Sequence, residues 1–231
     1  MLETVPSMSR SPLALKICGL TDPAQALAIA ALGVDAIGVI GVPGSPRDLP
    51  ERERRELFSA LERHHPAVLR VWVVADLEDR AIAAGLSGPG RPTVVQLHGS
   101  ETPERCLQLR RHHPTLQWWK ALRIRHPADL DQLIRYADAV DGLLLDAWSP
   151  DQLGGTGHRL DLHWLDTLQD RLPAGMPWWL AGGISAEWVP ELRQRVQPHG
   201  LDASSRLETA PGVKDLQRVK DLIDAIRPGA G

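Results

Sequence analysis

Paired cysteines are missing from this sequence. Its two thiols, Cys18 and Cys106, are too few for a disulfide framework and stand in no spacing that suits zinc. Excess charge of either sign is also missing. A net charge of −3 and a pI near 6.3 give no general pull on nucleic acid or acidic lipid, so any bound anion must be held by a local site. Long apolar runs are absent as well: the apolar stretch after the polar segment 1–12 is broken by Lys16 and is far too short to cross a bilayer. Tyrosine and phenylalanine occur once each, against eight tryptophans, which we read as bulky core or strand residues. Together these absences point to a reduced, cytoplasmic compartment, with neither nucleic acid nor membrane as partner.

What is present is a repeat. A short apolar run, a Gly- or Pro-rich turn and an amphipathic stretch recur along the chain, in a sequence 43% hydrophobic and 24% charged. The β-branched and apolar runs predict strands near Leu13–Cys18, Asp35–Ile40, Val68–Ala75, Thr93–Leu97, Gln117–Leu122, Gly142–Asp146, Trp178–Ala181 and Gly200–Ala203. Helical periodicity is clearest at Asp22–Leu32, Glu51–His64, Pro103–His113, Pro127–Ala137, Ala186–Val196 and Val213–Ile226. Eight β-then-α units imply parallel strands joined by helical crossovers. Packed into 231 residues, they favour a single-domain (β/α)8 TIM barrel, with an open doubly wound sheet as the alternative. The expected layout is a flexible extension over 1–12 and one catalytic barrel over 13–231.

A barrel of this kind works at the C-terminal ends of its strands. At those ends stand Cys18, Arg47, Gln96, His98, Asp146 and Asp202, with Gly/Ser-rich turns at Gly154–Gly157, Gly182-Gly183 and Ser204-Ser205. Glycine lets backbone N–H groups approach an oxyanion closely, so Gly155, Gly157, Gly182, Gly183, Ser204 and Ser205 are candidate phosphate ligands, although strand-ending glycines also simply make tight turns. A thiolate can act as general base and a protonated carboxyl as general acid, which suits Cys18 and Asp146; a free cysteine is otherwise a small buried hydrophobe. Cys106, placed mid-helix, is structural. Arg47 has the planar fork for a carboxylate, or is an exposed surface arginine. His98 lacks a second histidine at ligand spacing and suits substrate positioning or structure. Neither a metal nor a cofactor is expected.

In order along the chain, Lys16-Ile17-Cys18-Gly19-Leu20-Thr21, Ser45-Pro46-Arg47, Val95-Gln96-Leu97-His98-Gly99, Leu145-Asp146, Gly154-Gly155-Thr156-Gly157, Leu180-Ala181-Gly182-Gly183, Asp202-Ala203-Ser204-Ser205, Pro211-Gly212 and Lys214-Asp215 resemble the phosphoribosylanthranilate isomerases of tryptophan biosynthesis. The resemblance spans about Leu13 to Arg227. It implies a cofactor-free Amadori rearrangement of a small phosphorylated substrate, N-(5′-phosphoribosyl)anthranilate, to 1-(2-carboxyphenylamino)-1-deoxyribulose 5-phosphate. By the same resemblance Asp146 is the general acid and Cys18 the general base. Arg47 would hold the anthranilate carboxylate, Gln96, His98 and Asp202 would contact substrate, and the glycines and serines of the last loops would hold the phosphate. A monomer is allowed. The alternatives are the related aminoimidazole-ribotide isomerase of histidine biosynthesis, which carries aspartate where this chain has Cys18, a metal-dependent epimerase, and a non-catalytic phosphate-binding barrel. Two departures stand out: Gly38-Val39-Ile40-Gly41 replaces aromatics, and Arg206 replaces a glycine. A left-handed backbone at Arg206 would be strained.

Overall fold

Eight parallel strands close on themselves in chain order: β1 (Ala14–Cys18), β2 (Ala36–Ile40), β3 (Leu69–Val74), β4 (Val94–Leu97), β5 (Gln117–Ile124), β6 (Gly142–Ala147), β7 (Trp178–Ala181) and β8 (Gly200–Ala203). This computed structural model describes residues 13–147, 159–166, 168–173 and 175–228. The expected extension over 1–12 and the Gly154–Gly157 turn, with Gly155 and Gly157, lie outside them. β8 pairs with β1 through Ala14↔Gly200, Leu15↔Leu201, Lys16↔Asp202 and Ile17↔Ala203, which shuts the ring and excludes the open sheet. The eight expected strands are all present, with ends within two residues of the expectation.

The helices are α1 (Pro23–Ala31), α2 (Glu51–His64), α3 (Asp79–Leu86), α4 (Pro103–His112), α5 (Leu133–Tyr136), α6 (Leu168–Arg171), α7 (Val189–Arg195) and α8 (Leu216–Ile226). Their starts are written in local chemistry. The Asp22 carboxylate accepts from Gln25 N before Pro23, Thr102 Oγ1 accepts from Arg105 N before Pro103, and Asp215 accepts from Gln217 N and Arg218 N. Three expected helices differ. Pro127–Ala137 is a 3₁₀ segment, Pro127–Gln132, followed by one α-turn. Ala186–Val196 likewise opens on a 3₁₀ turn, Ala186–Trp188. Val213-Lys214 is not helical: it forms β10, antiparallel to β9 (Glu208–Ala210), because Pro211-Gly212 turns the chain back with Gly212 at φ 83°. α3 and α6, implied by the eight expected units, are not among the clearest expected helices because both are short.

Side chains alternate strictly across the barrel wall. Leu15, Ile17, Ile37, Val39, Val95, Leu97, Leu143, Leu145, Leu180 and Leu201 join the layer beneath the helices, while Cys18, Ala36, Val71, Val73, Val94, Trp119, Ala121, Leu144, Trp179 and Ala181 fill the interior. Within that interior, Trp119 and Trp179 lie with ring centroids 4.9 Å apart, next to Gly142 and Gly200 on the neighbouring strands. Small Ala121, Ala181 and Cys18 follow toward the strands' C-terminal ends. Bulk therefore plugs the lower half of the barrel, and space is kept at the mouth where the polar residues gather.

A Cβ on Gly200 would come within 2.3 Å of the Trp179 ring. Gly200→Ala should therefore destabilise the fold by about 1–3 kcal/mol, the usual cost of overpacking. Trp179→Leu should restore much of that loss in the double variant. Urea unfolding of the two single variants and the double checks this, and an unchanged midpoint for Gly200→Ala would contradict the packing account.

Candidate active site

Three clusters of charge meet at the C-terminal ends of the strands. The first begins on β1, where Lys16 and Cys18, two residues apart, share the inward face. Lys16 is fully buried, and its Nζ donates to Asp202 Oδ2 at 2.8 Å, across the seam between β1 and β8. Burial alone would lower the ammonium pKa, but Asp202 and Cys18 outweigh it and hold Lys16 above its ordinary value. Burial pushes the Cys18 thiol up, while the neighbouring Lys16 charge acts the other way. The register partner of Cys18 is Gly38, where a Cβ would fall 2.7 Å from Sγ and 3.0 Å from Lys16 Cε. The departure from aromatics on β2 thus coincides with the space these two side chains fill. Asp202 Oδ1 has no hydrogen-bond partner and remains open to one.

The second cluster lies on β4 and β6. Gln96 and His98 project from β4 and its end, and Asp146 from β6, all buried. His98 Nε2 stands 3.5 Å from Asp146 Oδ2 without a hydrogen bond, and Gln96 Oε1 is also unpartnered. Buried polar atoms left open at a barrel mouth are donors and acceptors available to a ligand. The loop after His98 is braced from behind. Glu101 accepts from Gly99 N at 3.0 Å, from Asp76 N at 2.8 Å and from Lys120 Nζ at 2.7 Å, while Lys120 also donates to Gly99 O at 2.8 Å. Asp76, with φ 52°, receives both Ser100 N and Ser100 Oγ at 2.8 Å.

The third cluster joins the loop after β2 to the small hairpin after β8. Arg47 is buried, not the exposed surface arginine that the sequence also allowed. Its Nε donates to Glu208 Oε1 at 2.9 Å and its Nη2 to Glu208 Oε2 at 2.6 Å. Lys214 Nζ donates to the same Oε1 at 2.6 Å and to Ser204 Oγ at 3.3 Å. Burial would raise the Glu208 carboxyl, but the Arg47 hydrogen bonds and the Lys214 charge prevail and hold it below the ordinary carboxylate range. Arg47 crosses over Gly19, whose φ is 79° and where a Cβ would meet Arg47 Cδ at 2.6 Å, so only glycine fits after Cys18.

The turns behave unequally. Gly182 and Gly183 both adopt left-handed backbone, φ 90° and 65°, at the end of β7. Ser204 Oγ is spent on the fold, donating to Cys18 O at 2.9 Å. Ser205 lines a groove with Ser185, Arg159, Arg206 and Arg218. Arg206 is exposed and sits in a 3₁₀ turn, Ser205–Leu207, outside left-handed backbone, so the strain that a left-handed conformation would impose does not arise. Cys106 lies within α4, fully buried, with its thiol pushed up to about 12 by burial. Among the described residues no group of three or more His, Cys, Asp or Glu side chains could hold a metal.

Glu208, Glu101, Lys120 and the partnership of Lys16 escaped the sequence reading. A signal existed: lysine inside an apolar strand, as in Leu15-Lys16-Ile17 and Trp119-Lys120-Ala121, must find a buried partner. Nothing local says which carboxylate it finds.

Comparison with known proteins adds an independent line. A family model described as N-(5'-phosphoribosyl)anthranilate (PRA) isomerase matches residues 15–225. A protein of Thermosynechococcus vestitus named N-(5'-phosphoribosyl)anthranilate isomerase is 46% identical over 211 residues, covering 91% of this chain and 88% of its own. The crystal structure of phosphoribosyl anthranilate isomerase from Thermus thermophilus superposes with TM-score 0.78 at 32% identity, over 93% of this chain and 98% of that one. A further crystal structure of such an isomerase, in complex with reduced 1-(o-carboxyphenylamino)-1-deoxyribulose 5-phosphate, gives TM-score 0.78 at 28% identity with the same coverage.

The Lys16 charge lowers the free energy of a Cys18 thiolate, so removing it should move the thiol further above its ordinary range. Lys16→Met should shift the pH midpoint of Cys18 alkylation by iodoacetamide upward, with Cys106 silent because of its burial. An unchanged or lower midpoint would separate the two side chains electrically.

Proposed function

The chain belongs to the N-(5'-phosphoribosyl)anthranilate isomerase family, and from that premise we propose how its own residues carry the reaction. It is an intramolecular aldose–ketose isomerase of tryptophan biosynthesis, converting N-(5′-phosphoribosyl)anthranilate to 1-(2-carboxyphenylamino)-1-deoxyribulose 5-phosphate. Asp146, as the acid, gives a proton to the ribose ring oxygen; the C1′–O bond breaks as the amine lone pair forms a Schiff base. Cys18, as thiolate, removes the C2′ proton, and the resulting enolamine becomes the aminoketone by tautomerisation. No oxidant or reductant is consumed: one hydrogen is lost from C2′ and one gained at C1′, while the ring oxygen gains a proton and the 2′-hydroxyl loses one as it becomes the ketone.

The observation that carries this reading is the pairing, on one inward-facing rim, of a thiol beside a buried lysine with a buried carboxyl 3.5 Å from a histidine. Lys16 supplies the charge that a thiolate base needs in a buried place. Asp202, with one oxygen on Lys16 and the other open, is available to the substrate amine or ribose hydroxyls. Gln96 and His98 bring unpartnered polar atoms to the same rim. Arg47 is the clamp for the anthranilate carboxylate. The glycines Gly182 and Gly183, with backbone only they adopt comfortably, and Ser205 form the phosphate side; Gly155 and Gly157, outside the described residues, are assigned to the phosphate by the family resemblance alone. For Ser204 the phosphate contact is through backbone N–H, its hydroxyl being engaged. The reaction calls for neither metal nor cofactor. We place it in the cytoplasm, where its pathway's phosphorylated intermediates are retained; no described helix is long and apolar enough to cross a membrane.

The test is to follow the loss of phosphoribosylanthranilate fluorescence with purified protein. Cys18→Ser and Asp146→Asn should each lower kcat about 10²–10⁴-fold, as expected for a lost general base or acid, with KM changing much less. Arg47→Ala should lower kcat/KM by about 1.5–3 kcal/mol, and lysine should restore only part of it. Wild-type turnover in either of the first two variants would remove that residue from the chemistry. Arg206→Gly, at the rim of the groove, should raise KM by less than about tenfold, and less still in high salt.

A further inference from the structure

Glu208 has no role in the scheme above, yet it is one of the most heavily bonded side chains in the molecule. Oε1 receives Arg47 Nε at 2.9 Å, Lys214 Nζ at 2.6 Å and Gly212 N at 3.2 Å. Oε2 receives Arg47 Nη2 at 2.6 Å and Nε at 3.2 Å. A carboxylate offers about four lone-pair directions, so this one has little left for a proton or a ligand. Its bonds fix a geometry instead. A guanidinium has a side edge, Nε with Nη2, and an end edge, Nη1 with Nη2. Glu208 takes the side edge, and among the described residues nothing accepts from Nη1. The charges agree with that picture. Arg47 and Lys214 with Glu208 leave one net positive charge, the amount that a single carboxylate neutralises.

We propose that Glu208 is a positioning residue for substrate specificity: it orients the Arg47 guanidinium so that its end edge meets the aromatic carboxylate of the substrate. This rests on the functional reading above, in which Arg47 is the carboxylate clamp. The placement is built by the β9–β10 hairpin. Glu208 and Lys214 are register partners across it, the Pro211-Gly212 turn closes it, and Thr21 Oγ1 donates to Gly212 O at 3.1 Å to hold it against the loop after β1. The hairpin thus ties the end of the barrel to the loop that follows Cys18.

Steady-state kinetics on N-(5′-phosphoribosyl)anthranilate, with wild type, Glu208→Gln, Arg47→Ala and the double variant, tests this. Glu208→Gln keeps the shape and removes the charge; KM should rise about tenfold with kcat within about threefold. In the Arg47→Ala background the same change should alter kcat/KM less than about twofold, because its effect runs through Arg47. A wild-type KM for Glu208→Gln, a fall in kcat in place of the KM rise, or losses that multiply in the double variant would each overturn the proposal. If Glu208→Gln does not fold, Glu208→Gln with Lys214→Met removes both charges together; it should show the same KM rise over Lys214→Met, and an unchanged KM overturns the proposal equally. A wild-type KM for Arg47→Ala, or a wild-type protein without turnover, would instead overturn the functional reading itself, and this inference with it.

Discussion

The salt bridge between Lys16 and Asp202 lies on the seam where the last strand meets the first. A parallel barrel can close in more than one register, and a slip along the strands would carry every inward side chain to a new height. Placing a lysine on β1 opposite an aspartate on β8 makes the wrong closures leave an uncompensated buried charge. Breaking such a pair by removing one partner typically costs about 3–5 kcal/mol, although the intact pair gives little net stability over well-packed apolar residues. The register it favours also puts Cys18 one step further up β1 on the same face, and brings Ser204 to the carbonyl of Cys18. One interaction therefore fixes both the closed ring and the position of the thiol in it.

The same device appears twice more. Lys120 on β5 is held by Glu101, and Lys214 on β10 by Glu208. All three lysines are almost fully buried, and each has its carboxylate outside its own strand. Each pair secures a different part of the rim: the seam beside Cys18, the loop carrying His98, and the hairpin that reaches Arg47. Long flexible side chains make poor anchors in water. With both ends buried and hydrogen-bonded they become struts, because moving them would strand a charge in a low-dielectric place. The lower half of the barrel is held in the opposite manner, by two indoles in tilted contact packed against glycines. Rigid packing below and paired charges above together produce a mouth with open polar atoms in fixed positions.

The sequence by itself determined the eight-unit order and the strand positions, because apolar runs, prolines and capping residues act locally and leave a legible period. It also marked Cys18, Asp146 and the strand-end motifs, since in a barrel the ends of strands are the site, and their ordered set resembles a known family. It could not determine that Val213-Lys214 leaves the helical pattern for a hairpin, since a two-residue strand has no period and its partner lies across a turn. Nor could it assign Lys16, Lys120 and Lys214 to Asp202, Glu101 and Glu208, or show that Arg47 is buried against Glu208. The reason is physical: a charge in an apolar strand announces that a partner is needed, while the identity of that partner depends on which strands become neighbours when the barrel closes. Only the tertiary structure sets that distance.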